Sequence, residues 1–545
     1  MFSQYGLYLI AFGLVIAVTY FLAPTNKAHS DLWKSIDVVG LGRRGVTSWP
    51  RAVFGSILKT AQNTADGYQR FCKANNRPFA LPTIWTGSAV VVLPPSLLHL
   101  LNRPDNELAA HKAQHETIQL PYMIADRDVY NNPIHFEVVR KTLAPKQVGN
   151  FAAPAAEELD RAFRTYWEDP EDCGTDAKHR WVTLNNWNAC GKVVSRAAMR
   201  VLVGETLCQN ERLLDTTMRY ADAVVMGTAM INCLPPSLRP WIAPVLALPA
   251  KYNQSRCLKL LVPVIEERIR VWEKSKSGDI QKVPDDFLQW MIERCAKAGS
   301  EQMKPSRIAL RLLALVTMSV MGMVWVLSHC IQDLYRSPSK DEFLAGLQEE
   351  LMKMTEHSEF SKATNGIGSK DTIDRLHRLD STLRESMRLS AISIVSVARD
   401  VVADELDLGL DDGLKIPRGV RVVFPSQPMH RDPDFMFHER PLEFDAFRFS
   451  RKFETNQART EGEEATIERA AASSTVPSQS FLAWGYGKHA CTARWYAAQT
   501  LKQALAYIIL NYDVEVLGDS RKSMSLVNVV VPHTDVQIRI RRKKP

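Results

Sequence analysis

The sequence predicts one large, mainly α-helical domain with smaller β-sheets near its two ends, behind a single apolar N-terminal helix. Three observations carry that expectation. Helical periodicity dominates from about Asn131 to Leu389. β-branched runs punctuated by Pro and Gly cluster before and after that stretch. Residues Tyr5 to Ala23 are uncharged and almost wholly apolar. The 545 residues could hold two to four domains by length, but no internal boundary reads as a linker, so the expected division is 1–24 and 25–545. With 46% hydrophobic and 23% charged residues, the chain has ample material for a large core.

At about 19 residues, Tyr5–Ala23 is long enough to cross a bilayer core of ~30 Å. A cleaved signal peptide is the alternative, but basic residues should then precede the apolar run, and here they follow it as Lys27, Lys34, Arg43 and Arg44. That charge order places the rest of the chain on the cytoplasmic side. The stretch RPFALPTIWTGSAVVVLPPSLLHLL reads as strands and turns around Val90–Val92, and Pro154–Tyr166, Leu258–Lys274 and Asp285–Lys297 read as helices. Leu312–Leu327 is apolar all round, which suits the buried centre of a domain better than a second membrane span, since it is short and Arg311 adjoins it. SIVSVARDVV and GVRVVFPSQPM bring strands back, 451–480 reads as a polar surface insertion, and a helix carrying Tyr496, Leu501, Leu505, Ile508 and Ile509 precedes two terminal strands.

The net charge is +8, with no dense Lys/Arg block interleaved with aromatics, so nucleic-acid binding is not expected. The mild basic excess suits a membrane surface or an acidic protein partner. The nine cysteines are scattered, without CxxC pairs, which argues against a disulfide framework or a zinc site and for reduced thiols facing the cytosol.

Only Cys491 has informative neighbours. It lies in FLAWGYGKHACTAR, where Gly485 and Gly487 allow a tight turn close to a flat ligand and a long helix follows. A thiolate there gains from the helix N-terminus, and His489 and Arg494 could meet carboxylates. A buried structural cysteine is the alternative. The segment resembles the heme-binding loop of cytochromes P-450, Phe-Gly-x-Gly-x-His/Arg-x-Cys-x-Gly. Gly485, Gly487, His489 and Cys491 match, Trp484 stands for Phe, and Ala493 stands for the last Gly. Glu385-Ser-Met-Arg388 resembles the family's Glu-x-x-Arg helix, and FDAFRF supplies Arg448 for a Glu-Arg-Arg cluster behind the loop. MHRDP at Met429–Pro433 and NPIH…R, ending at Arg140, are weaker echoes, and LPPS and DDFLQW are similar to filamentous-fungal members.

The resemblance implies a heme b cofactor with Cys491 as iron ligand and with Trp484, Gly485, Gly487, His489 and Arg140 around it. It implies Glu385, Arg388 and Arg448 as a structural cluster. It further implies a monooxygenase that oxidises an apolar small molecule, plausibly in fungal secondary metabolism. Dioxygen would be the oxidant, and electrons would come from NADPH through a separate reductase, with no NADPH site on this chain. The expected location is the endoplasmic reticulum membrane, single-pass, with the catalytic domain in the cytosol. One departure stands out. Where family members carry an acid and an alcohol for proton delivery in the central helix, expected over Ser306–Leu334, this chain has Met321 and Gly322, with Thr317 and Ser319 the nearby hydroxyls. An electron-independent isomerase or dehydratase therefore stands as an alternative, and a membrane-anchored binding protein with a merely structural Cys491 as another. The expected substrate pocket combines Val320, Met321 and Gly322 with Val395, in the segment Ile392–Val397, and the 110–135 loop.

Overall fold

The computed structural model describes residues 29–42, 48–168, 180–276, 283–356, 367–436, 440–456, 473–519 and 524–543. The expected N-terminal helix and positions 457–472 of the expected insertion lie outside them; Arg451–Asn456, at the insertion's start, is helical. The described chain is mainly helical with small sheets, as its sequence predicts.

The centre is the helix Pro305–Arg336, buried along most of its length. Among the described residues it is the one helix apolar enough to cross a bilayer, yet it is packed inside the protein. Helices Asn186–Val203, Glu211–Asn232, Leu248–Lys276, His377–Leu389 and Arg494–Asn511 surround it. The last of these is buried on nearly every face, so its polar side chains need interior partners. Gln499 donates to the Val148 carbonyl at 3.2 Å, Gln503 to the Ala152 carbonyl at 2.7 Å, and Lys502 to the Ile373 carbonyl at 2.9 Å.

Five strands form the larger sheet: β1 (Phe79–Thr83), β2 (Ser88–Val92), β3 (Leu108–Ala109), β5 (Ser396–Val401) and β8 (Arg421–Phe424), in the order β1-β2-β8-β5-β3. Only β2 and β8 run parallel, with Val91 opposite Val422. A three-stranded sheet joins β4 (Val182–Asn185), β12 (Gln537–Arg542) and β9 (Tyr512–Val516). Two further pairs complete the strands: β6 (Glu405–Asp407) with β7 (Lys415–Pro417), and β10 (Ser525–Leu526) with β11 (Val529–Val530).

Helix Ser48–Gly67 was not expected. Its buried positions are Ala52, Ser56, Thr60, Thr64 and Gly67, small or polar residues that carry no hydrophobic period. The hydroxyls of Ser56 and Thr60 bond the Val53 and Ser56 carbonyls, both at 2.6 Å, and Gly67 lies under the Phe79 ring, which a Cβ would meet at 2.4 Å.

The central helix is tied to helix His377–Leu389 by Asp333, which accepts from the Ser386 hydroxyl at 2.6 Å and from the Ser390 hydroxyl at 3.3 Å. Burial pushes the Asp333 carboxyl up to about 7, against the lowering by those hydroxyls. The folded chain therefore holds this proton more tightly than the unfolded one between about pH 4 and 7. Asp333 should lose a few kcal/mol of stability as pH rises through that window. Asp333→Asn should flatten the pH dependence of the unfolding midpoint there; an unchanged profile would refute this.

Candidate functional site

The loop before helix Arg494–Asn511 is built from both ends of the fold. The Cys491 amide donates to the Trp484 carbonyl at 2.7 Å, which closes the loop. Gly485 and Gly487, at φ 80° and 63°, make the turn possible, since both angles penalise any side chain. The Trp484 indole donates to the Ser474 carbonyl at 2.6 Å, fixing the aromatic beside the loop. At the loop's start, the Leu482 amide donates to His430 Nε2 at 2.9 Å, and burial holds that imidazole down to about 3, so it accepts as the neutral form.

Seven of the eight described cysteines are buried, and Cys491 is the exposed one. Protein atoms nevertheless crowd its sulfur. Burial raises its thiol pKa, while the N–H groups of Ala493 and Arg494 and the Arg494 charge work against that rise. Those donors are the unpaired amides of a helix start.

Behind the loop sits a buried ion cluster. Arg388 grips Glu385 with two bonds, Nε to Oε2 at 2.7 Å and Nη2 to Oε1 at 2.8 Å. Arg448 Nε reaches Glu385 Oε1 at 3.0 Å. Glu385 and Arg388 are 0% exposed and Arg448 is 7% exposed. Further donors extend the net: Arg388 Nη1 bonds the His430 and Pro441 carbonyls, both at 2.6 Å, and Arg448 Nη2 bonds those of Glu443 and Arg440 at 2.8 and 3.1 Å, while Arg448 Nη1 has no partner among the described residues. His430 thus touches both the cluster and the cysteine loop.

The expected carboxylate-binding residues stand differently. His489 is already engaged, with Nε2 3.0 Å from Asp105, which Lys488 also reaches at 3.0 Å. Arg140 is exposed on helix Ile134–Thr142 and has no hydrogen-bond partner among the described residues. Arg399, on β5, is 2% exposed, and its Nη2 has no partner among the described residues. A buried guanidinium nitrogen without an acceptor calls for one. The β5–β8 pairing shifts register between Ser396 and Arg399, and Val397 within the shift has φ 51°. Such bulges re-aim side chains, and a β-branched residue at positive φ is strained. Val397 also borders Gly485, 4.0 Å from where a Cβ would stand. Sequence reading missed Arg399; its one signal was an arginine inside an otherwise apolar strand run.

Along the central helix, Ala314, Met318 and Met321–Gly322 share the less buried face, with Met318 51% exposed. A Cβ on Gly322 would meet nothing within 4 Å. Val320 is 1% exposed, because two residues along a helix from Met318 turns it to the opposite, core-facing side. Val395 is 2% exposed and held by Asn528, which donates to its carbonyl at 2.9 Å and accepts from its amide at 2.8 Å. The Thr317 and Ser319 hydroxyls bond their own helix, at the Leu313 carbonyl (3.0 Å) and the Leu315 carbonyl (2.8 Å). The 110–135 region forms short helices, and with the central helix it lines a cleft containing His115, Tyr130, His135, Phe136, Ala314 and Met318. Burial pushes His115 down to about 4, helped by His111, and His135 down to about 3, helped by Arg311, so both rings are neutral at neutral pH.

Comparison with known proteins decides the lineage. The family model for cytochrome P-450 matches residues 46–540. The chain belongs to the cytochrome P-450 family. It is 31% identical over 98% of its length to the cytochrome P-450 monooxygenase gloP of Glarea lozoyensis, covering 96% of that protein. It is 32% identical to the monooxygenase htyF of Aspergillus rugulosus, over 93% of this chain and 72% of that one. A third relative, the monooxygenase okaG of Penicillium ochrochloron, is 24% identical over 100% of this chain and 99% of its own. As a cytochrome P-450 the chain is an oxidoreductase of the monooxygenase class. The group the family carries, a planar iron macrocycle with two carboxylates, fits what is here: an exposed cysteine at a helix start, a glycine turn beside it and a buried arginine with one guanidinium nitrogen lacking an acceptor among the described residues.

Proposed function

We propose that the chain is a membrane-bound heme-thiolate monooxygenase that oxidises an apolar small molecule, in the secondary metabolism of a fungus. The observation that carries this is Cys491, the exposed one among the described cysteines, set in a loop closed by its own amide at a helix start. Heme b held there would supply dioxygen activation, which thiolate donation to iron favours. The protein's own part is positioning. Arg399 receives one carboxylate and the exposed Arg140 is offered for the other, while His489 steadies the loop through Asp105. The Trp484 carbonyl takes the Cys491 amide, and the Glu385–Arg388–Arg448 cluster holds the loop from behind. The neutral, apolar cleft lined by Ile124, Val129, Phe136 and Met318 favours an apolar substrate. Electrons come from NADPH through a separate reductase. Expression with a fungal reductase and metabolite profiling tests the reading: an NADPH-dependent oxidised product supports it, and turnover without NADPH refutes it.

The second reading, electron-independent isomerisation or dehydration, is favoured by one observation. No side chain at Met321 or Gly322 carries a transferable proton, and the neighbouring hydroxyls are bonded to the helix. Substituting Gly322→Thr should fill space that substrate needs, because glycine in a helix interior costs roughly 1 kcal/mol against alanine and a Cβ there meets open space. The expected result is a weaker substrate-induced spectral shift and less product; unchanged binding with better coupling would show that the glycine does not keep space.

The chain is held, on this proposal, in the endoplasmic reticulum membrane by residues 1–24, with the domain 25–545 in the cytosol. Trp241, Val245, Leu248 and Tyr252 are between 58% and 79% exposed, which supports a membrane-facing side. Deleting Met1–Ala23 should release much of the protein from carbonate-washed membranes with heme binding intact. Lumenal glycosylation of tags placed after Lys34 would reverse the topology.

A further inference from the structure

The segment 117–123 carries Ile118 and Leu120, which line the cleft beside Ala314 and Met318. Side chains from two long helices bond it at both ends. Gln119, 2% exposed, donates from Nε2 to Asn232 Oδ1 at 2.6 Å. Asn232, the last residue of helix Glu211–Asn232 and 7% exposed, donates in turn to the Thr117 carbonyl at 3.0 Å. One turn earlier on that helix, Thr228 donates to the Ile118 carbonyl at 3.0 Å. At the other end of the segment, Gln254 of helix Leu248–Lys276 donates to the Met123 carbonyl at 3.2 Å. Packing repeats the tie. A Cβ on Gly227 would stand 2.8 Å from Met123 Cε and 3.4 Å from the Leu246 carbonyl, so the segment and helix Arg239–Leu246 both close on that glycine.

Gln119 is at φ 49° and ψ 39°, a left-handed conformation that a residue with a side chain keeps only where its surroundings hold it. Two buried amides bonded to each other and to backbone are costly to separate, since each would leave the other's polar atoms unpaired. Releasing Gln119 would free both of its neighbours, Ile118 and Leu120, to turn away from the central helix. We propose that Asn232 is a positioning residue of the cleft: its bond to Gln119 holds Ile118 and Leu120 in place and makes the cleft wall and the end of helix Glu211–Asn232 open together. The link to substrate rests on the cleft reading above; the bonded unit itself does not.

The test reads amide hydrogen exchange of the full-length holoprotein at 117–124 and 224–234, alone and with adamantanol as an apolar probe. In wild type the two segments should exchange together. Asn232→Ala and Gln119→Ala should each speed exchange at 117–124 about tenfold, and the double variant no more than either, as expected for one shared bond. Adamantanol should protect both segments in wild type, and only 117–124 in Gln119→Ala. Unchanged exchange in both single variants, or additive effects in the double variant, overturns the positioning role. Equal acceleration in helix His377–Leu389 would mark a general loss of stability and overturn it too. If adamantanol protects neither segment in wild type while the double-variant result holds, the cleft reading falls and the bonded unit stands.

Discussion

Cys491→Ser removes the thiolate-type carbonyl difference spectrum and the activity together. The serine oxygen keeps the loop geometry, because the bond that closes the loop runs from the Cys491 amide to the Trp484 carbonyl and does not involve the side chain. What changes is the donor: sulfur is replaced by a weakly acidic hydroxyl, and the electron donation that favours O–O cleavage is lost. The seven buried described cysteines provide the control. Cys330→Ala or Cys190→Ala should leave the spectrum type unchanged, with a cost confined to stability. A Cys491→Ser protein with native spectrum and turnover would remove Cys491 from the proposed role.

The second large effect is expected at the ion cluster. Glu385→Ala leaves Arg388 and Arg448 as two uncompensated buried cations, and Arg448→Ala leaves Glu385 with an open acceptor. Each change should cost on the order of 3–5 kcal/mol, because desolvation of the surviving charge is no longer offset. The loss should appear as a lower denaturation midpoint and as less heme-loaded protein, since Arg388 also holds the His430 carbonyl and His430 holds the Leu482 amide of the cysteine loop. Arg448→Lys keeps the charge but cannot reach Glu385 and two carbonyls at once, so an intermediate loss is expected. Normal expression and heme loading of Glu385→Ala would refute the cluster's role.

Local chemistry was legible in the sequence, and long-range geometry was not. The glycines, the cysteine and the following helix of the 481–494 loop are contiguous, but by themselves they fit a buried structural cysteine as well, and the resemblance made them a ligand loop. Glu385 and Arg388 share a helix turn, which made their pairing readable, whereas Arg448 needed the resemblance. Arg399 escaped notice because its orientation depends on a register shift between β5 and β8 that no strand pattern announces. His489 was read as facing a cofactor, but its contact with Asp105, far away in sequence, could not be foreseen. Val320 was assigned to the pocket by resemblance, and its 1% exposure follows from its position two residues along the helix from Met318. Helix Ser48–Gly67 hid behind small and polar buried residues, two of whose hydroxyls, Ser56 and Thr60, bond their own helix backbone.

The most direct test of a heme held by Cys491 is the carbonyl difference spectrum of the reduced, full-length protein in its membranes. The account predicts a thiolate-type band that is lost in Cys491→Ser and retained in Cys330→Ala. A folded wild-type protein without heme, or with a band of another ligand type, would contradict it.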